Sequence, residues 1–288
     1  MHKPENWEDC FAAKIRQEFE GKGVIIAGVN EGNIGAMLSD AFHALGARVA
    51  MIGHQAEPLH ELAASLDKRT VATGQPSFRP VAIPANLLNK EERLAALAQA
   101  LAGTGTPVAF ISTLGQDKRL PLDDIDEDQL GMLTKINFEV PALMARDMIM
   151  EMRKGGGGVV SLFTSHHGGL LNDIAMLGYA PAKAAIDKSV KLLAHWAGST
   201  NTPDNIIRVL GIRPGWIQTP AQKERFPGAF SEATRSQLVP LEMQPRDMAV
   251  PTITYLSRTV GGLSSGVIYD IDGGRAENPI RETLFTAE

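Results

Sequence analysis

The chain has 288 residues, a length at which one open α/β sheet covered on both faces can form a single core. Charged residues make up 21% and the formal net charge is -5, so no basic surplus exists to neutralise a nucleic-acid backbone or an anionic membrane. The single cysteine, Cys10, excludes an intramolecular disulfide framework and a multi-thiolate zinc site, and fits a reducing, cytoplasmic setting.

Residues 1–20 contain scattered acids and no apolar run of signal-peptide or membrane-span length. Trp7, Phe11, Ile15 and Phe19 recur every four residues, which predicts an amphipathic helical extension that packs on its own domain or on a neighbouring subunit. From Lys22 onward, short β-rich runs alternate with segments of helical period. Strands are expected at Val24–Ala27, Arg48–Ile52, Arg79–Ile83, Val108–Ser112, Val159–Thr164, Ile206–Gly211 and Gly266–Asp270. Helices are expected at Ile34–Leu45, Pro58–Leu66, Lys90–Leu101, Glu127–Arg153, Tyr179–Trp196 and Arg246–Ser257. The expected fold is a doubly wound Rossmann-type α/β sandwich of three layers, with a seven-stranded parallel sheet and the whole of 1–288 in one domain. The Gly155–Gly158 run reads as a surface turn before the fifth strand, because it follows a helix.

The first strand runs into Ala27-Gly28-Val29-Asn30-Glu31-Gly32-Asn33-Ile34-Gly35 and then a helix. Such a turn aims free backbone N–H groups at an anion and lets a pyrophosphate approach the chain. In a dinucleotide-binding unit an acid at the end of the second strand would bind the adenosine ribose, whereas this strand ends in Gly53-His54-Gln55. The missing acid and the nearby His54 slightly favour NADP(H) over NAD(H), although Glu31 would repel a phosphate.

Tyr179-Ala180-Pro181-Ala182-Lys183 opens a strongly periodic helix, and a spacing of four stacks Tyr179 and Lys183 on one face. A free tyrosine, with a pKa of about 10, is a poor base at neutral pH, and a neighbouring ammonium favours its phenolate. The pair can therefore donate a proton to a carbonyl oxygen, or take one from an alcohol. His166 and His167 invite a metal reading, but neighbours in an extended segment point to opposite faces, so no metal is expected and a substrate-pocket or capping role is preferred.

These marks, in this order, resemble the short-chain dehydrogenase/reductase family with its Tyr-x3-Lys signature, over roughly Gly23 to Gly274. The family's glycine loop is similar to Gly28 through Asn33, Ile34 and Gly35, with one extra residue. Its adenine-contacting Asp corresponds to Asn86, followed by Leu87, and its Asn-Asn-Ala-Gly to Ser112-Thr113-Leu114-Gly115, where Gly115 alone is kept. The resemblance implies cofactor contacts from Pro214, Gly215, Ile217 and Thr219 in the segment after the sixth strand, and a closing Asp272-Gly273-Gly274. It also implies catalysis by Tyr179, Lys183, Ser165 as partner of the substrate oxygen, with Thr164 as the alternative hydroxyl, and Asn137 in a water relay. Substrate walls are expected from Gly168 to Asp173 and from Trp216 to about Leu241, where Phe226, Phe230 and Leu238 lie.

The expected activity is NAD(P)-dependent interconversion of a carbonyl and a secondary alcohol on a small molecule, in a homodimer or homotetramer built through the long helices. Alternatives are a dinucleotide-binding sensor or scaffold and, against the Tyr-x3-Lys spacing, an enoyl reductase.

Overall fold

A computed structural model describes residues 7–73, 78–169, 173–225 and 242–273, and among them the strands form one all-parallel sheet. In chain order the strands are β1 (Gly23–Ala27), β2 (Arg48–Gly53), β3 (Val81–Pro84), β4 (Pro107–Ser112), β5 (Gly157–Phe163), β6 (Ile206–Pro214) and β7 (Ile268–Ile271). Their spatial order is β3-β2-β1-β4-β5-β6-β7. The chain reverses its winding between β1 and β4, so a crevice opens at the carboxyl ends of those strands.

The strands are largely apolar because both faces are covered. Along β1, Val24 and Ile26 enter one core cluster while Ile25 and Ala27 enter the other, as a side-chain period of two demands. One face packs on α4 (Lys90–Thr104), α6 (Val140–Lys154) and α7 (Ala180–Gly198), through residues such as Leu97, Met144 and Ile186. The other packs on α1 (Trp7–Phe19), α2 (Ile34–Ala44), α3 (Ala56–Thr73) and α9 (Ala249–Leu256), through Ile15, Leu38, Leu66 and Ile253. The N-terminal helix thus packs on its own domain, where Phe19 meets the ring of Phe42 edge-on at 5.0 Å. The side chains of Trp7 and Phe11 lie outside the described residues.

Two local expectations are corrected. The Gly155–Gly158 run is only half a turn: Gly157 and Gly158 already belong to β5. A Cβ on Gly157 would stand 2.3 Å from the carbonyl oxygen of Ile206, and its φ of 91° favours glycine, so close strand pairing explains the glycines there. The helix expected over Glu127–Arg153 divides into α5 (Glu127–Thr134), a π-helical segment at Lys135–Glu139, and α6. Pro141 is the physical reason, since it cannot donate to the carbonyl of Asn137 and its ring crowds that group.

Candidate active site

The crevice is a cleft of about 1390 Å³ that runs from the start of α2 to the start of α7. Asn33, Ile34, Gly115, Ser165, Tyr179, Lys183, Pro214, Gly215, Ile217 and Thr219 all line it, so most of the expected site residues meet in one place. Sequence separations above 150 residues collapse here because the loops leave neighbouring strand ends.

Lys183, on the first turn of α7, is 3% exposed and donates to the carbonyls of Leu114 at 2.9 Å and Phe163 at 3.0 Å. Its Nζ lies 5.8 Å from the centre of the Tyr179 ring. Burial lowers its pKa to about 8, against the opposing pull of Asp187 and Asp117. Burial moves the Tyr179 phenol the other way, well above the ordinary tyrosine value; a hydrogen bond with Ser165 offsets part of this, and Asp117 adds to it. Burial thus dominates the phenol, while the ammonium expected to depress it bonds two carbonyls. At neutral pH the phenol keeps its proton.

Ser165 follows β5, caps the 3-10 turn at His166–Gly168, and accepts from the N–H of His167 at 3.3 Å. The adjacent Thr164 is buried and its hydroxyl has no partner among the described residues, so the hydroxyl joined to Tyr179 is that of Ser165. The two histidines sit in this turn rather than in an extended segment, their rings 4.6 Å apart and tilted by 34°. His166 Nδ1 lies 3.2 Å from the carbonyl of Pro214, and the ring of His167 stands edge-on to Tyr179 at 6.1 Å. Among the described residues no group of three or more His, Cys, Asp or Glu could hold a metal.

Asn137 is fully buried in the π-helical segment. Its side chain donates to the carbonyls of Leu133 and Gln116 at 2.9 and 3.0 Å and accepts from the N–H of Gln116 at 2.8 Å. A Cβ on Gly115 would lie 3.0 Å from Lys183 Nζ and 3.1 Å from Asn137 Oδ1, which explains a glycine between them.

At the other end, Asn33 caps α2: its Oδ1 accepts from Ala36 N–H at 2.9 Å and its Nδ2 donates to the carbonyl of Gly28 at 2.8 Å. Gly28 has φ 92° and space for no side chain, since a Cβ would lie 2.8 Å from the nitrogen of Leu114. A Cβ on Gly35 would meet the hydroxyl of Thr113 at 2.9 Å. That hydroxyl reaches the carbonyls of Ala27 and Gly28, each at 3.1 Å, and ties β4 to the glycine loop.

The remaining adenosine-end residues stand apart from the cleft lining. His54 is exposed beyond β2, and Asn86 is exposed with its Oδ1 accepting from Leu88 N–H at 3.2 Å. Leu87 turns its side chain into the core. At the end of β2, a Cβ on Gly53 would stand 2.1 Å from the carbonyl oxygen of Val29, so no acidic side chain fits there.

Beyond β6, Thr219 Oγ1 accepts from Gln222 N–H at 3.2 Å and caps α8 (Pro220–Arg225) while also lining the cleft. Gly215 packs on Asp272, whose Cα would be 2.6 Å from an added Cβ. Leu171, Asn172, Phe226, Phe230, Leu238 and Gly274 lie outside the described residues. Asp117 and Arg119 are site elements that sequence reasoning missed, as are the contacts of Thr113, Asp173 and Gln222 within segments it had singled out. Only the apposition of loops up to 105 residues apart reveals them, and no motif spacing marks them.

A dinucleotide fits this arrangement. The N-terminus of α2 opens on the cleft beside Asn33 and Ile34, the lining is continuous to Tyr179, and Lys183 has one of its three N–H donors left to offer. Among the described residues no helix is long and apolar enough to cross a membrane.

The family model for short chain dehydrogenase matches residues 22–229. The chain is 30% identical over 259 residues to the "Probable galactose dehydrogenase GalD" of Rhizobium meliloti (strain 1021), covering 89% of this chain and 96% of that one. It is 25% identical over 274 residues to the glucose and ribitol dehydrogenase of Daucus carota, covering 92% and 88%. Its fold matches that of a 7 alpha-hydroxysteroid dehydrogenase complexed with NADH and 7-oxo glycochenodeoxycholic acid, with a TM-score of 0.79, 25% identity, and coverage of 91% and 96%. The chain belongs to the short-chain dehydrogenase/reductase family of NAD(P)-using oxidoreductases that act on CH–OH groups.

Proposed function

We propose that the protein interconverts a carbonyl and a secondary alcohol on a small molecule, with Tyr179 as the general acid/base. The observation that carries this is the meeting of the Tyr179 phenol, the Ser165 hydroxyl and the Lys183 ammonium in a cleft continuous with the N-terminus of α2. A bound nicotinamide cofactor supplies or accepts the hydride. In reduction, Tyr179 releases its proton to the substrate oxygen while Ser165 donates a hydrogen bond to the same oxygen. Lys183 presents its remaining N–H to a cofactor ribose hydroxyl and places positive charge beside the phenolate that forms. Asn137 spends its side-chain donors on the carbonyls of Gln116 and Leu133, so a water relay to Lys183 would run through its backbone carbonyl, which Pro141 cannot bond.

A slight preference for NADP(H) over NAD(H) rests on Gly53, which leaves no room for a ribose-binding acid, and on exposed His54 next to it. The sugar dehydrogenases among the relatives and the steroid dehydrogenase structure make sugars, polyols and hydroxysteroids the first substrates to offer. The sensor reading loses its motive at Ser112–Gly115, because Thr113 supplies bonds that hold the glycine loop. Assembly into a homodimer or homotetramer is part of the proposal: α6 and α7 expose Met150, Leu192 and Trp196, whose relative exposures are 49%, 58% and 37%.

Fluorescence titration with NADPH and NADH, followed by a carbonyl and alcohol panel on the preferred cofactor, tests the activity. Turnover in the Tyr179→Phe variant equal to the parent would overturn the mechanism, and light scattering reads the assembly.

A further inference from the structure

Asp117, two residues beyond Gly115, carries no motif, yet it joins opposite walls of the cleft. Its carboxylate accepts from Gln222 Nε2 and from Arg225 Nη1, the latter at 2.9 Å, and Arg225 also reaches the Asp117 carbonyl at 3.2 Å. Gln222 and Arg225 are on α8, 105 and 108 residues away. On the far side, the indole of Trp216 reaches Gln222 Oε1 at 3.5 Å. The base of the bridge is firm, because Asn137 grips the backbone of Gln116 through both its N–H and its carbonyl.

We propose that Asp117 is a positioning residue that straps α8 across the cleft and holds a negative charge beside the Tyr179–Lys183 pair. This rests on the reading of that pair as the proton-handling groups. Of the Asp117 and Arg225 side chains, 31% and 41% is exposed, so the ion pair is weak enough to open and reclose as ligands pass.

Other charges face the pair as well, and Asp187 acts on Lys183 at least as strongly as Asp117 does. Asp187, one turn along α7, is bound by Arg213 of β6 at 2.8 Å, and Arg119 is bound by Asp173. His166, His167, Glu31 and Asp123 line the same cleft, His167 edge-on to Tyr179, while Lys135 and Glu139 beside Asn137 are exposed. Asp117 lines the same cleft as Tyr179 and Lys183 and bears on both, and Arg225 is its counter-ion.

Asp117→Asn and Arg225→Met separate the two roles in the full-length protein. Both loosen the strap, so the Trp216 emission, identified as the part lost in Trp216→Phe, should become about twofold more sensitive to acrylamide in each. Only Arg225→Met keeps the carboxylate, so Lys183 should titrate about half a pH unit higher in Arg225→Met than in Asp117→Asn. The probe is NMR of isotope-labelled lysine, with the resonance assigned by its loss in Lys183→Met. Unchanged quenching in both variants overturns the strap, and equal or inverted Lys183 titrations overturn the electrostatic role. Neither readout needs turnover, so failure of the proposed reaction, shown by an active Tyr179→Phe, is a separate result.

Discussion

The two ends of the cleft are built on different physical principles. At the proton-handling end, the functional side chains are buried and hydrogen-bonded: Lys183 to two carbonyls, Asn137 to three backbone groups, Ser165 to Tyr179. At the adenosine end, backbone shape does the work through Gly28, Gly35 and Gly53, while His54 and Asn86 stand in solvent. Buried side chains tolerate little change because each lost bond leaves an unpaired group, whereas exposed ones tune affinity by small amounts. Substitutions at the two ends should therefore differ in size and in kind.

The largest effect is expected at Tyr179. Tyr179→Phe should lower kcat by about 10³-fold, within the range of a lost general acid, while NADPH affinity measured by fluorescence stays within about twofold. Equal losses in kcat and cofactor affinity would erase the distinction between the ends.

The next follows from Lys183, whose pKa of about 8 lies below that of the same lysine in an unfolded chain. Between the two values the unfolded chain binds more protons than the folded one, so stability rises with pH from about 8 upward, by up to about 3 kcal/mol. Urea denaturation at pH 8 and pH 10 should show this gain in the parent protein and not in Lys183→Met.

Gly28→Ala places a Cβ at φ 92° and 2.8 Å from the nitrogen of Leu114. Thermal melting should show a loss of about 2 kcal/mol, with weakened binding of both NADH and NADPH, because the loop must move. The smallest effect is expected at His54. His54→Ala should raise the Kd for NADPH by about threefold and leave that for NADH unchanged, as befits one exposed polar group. An equal change for both cofactors would remove His54 from the proposed preference.

Much of the fold was legible because parallel strands buried on both faces must be continuous apolar runs, and the intervening helices must repeat at three and four residues. That signal places β1 through β7 to within a few residues. It blurs where one local rule overrides another, as at Pro141, which interrupts the long helix, and at Gly157–Gly158, which serve strand pairing instead of a turn. Tyr179, Lys183 and Ser165, the residues of the proposed proton transfer, stand out in the sequence because such chemistry needs particular functional groups at particular spacings, and spacing is a property of the chain.

The charge environment was not legible in this way. A spacing of four told that Tyr179 and Lys183 share a face, and left open where the ammonium would find its partners. Only the fold brings the carbonyls of Leu114 and Phe163 to Lys183, and only burial within it raises the Tyr179 phenol. By itself the sequence determined the alternation of strands and helices and which side chains the proposed chemistry would use, since both follow from local periodicity and side-chain chemistry. The tertiary structure decided the partners of those groups, the Thr113 tie and the Asp117 bridge, because desolvation and hydrogen bonding depend on what lies nearby in space, and in this fold those neighbours are up to 108 residues away along the chain.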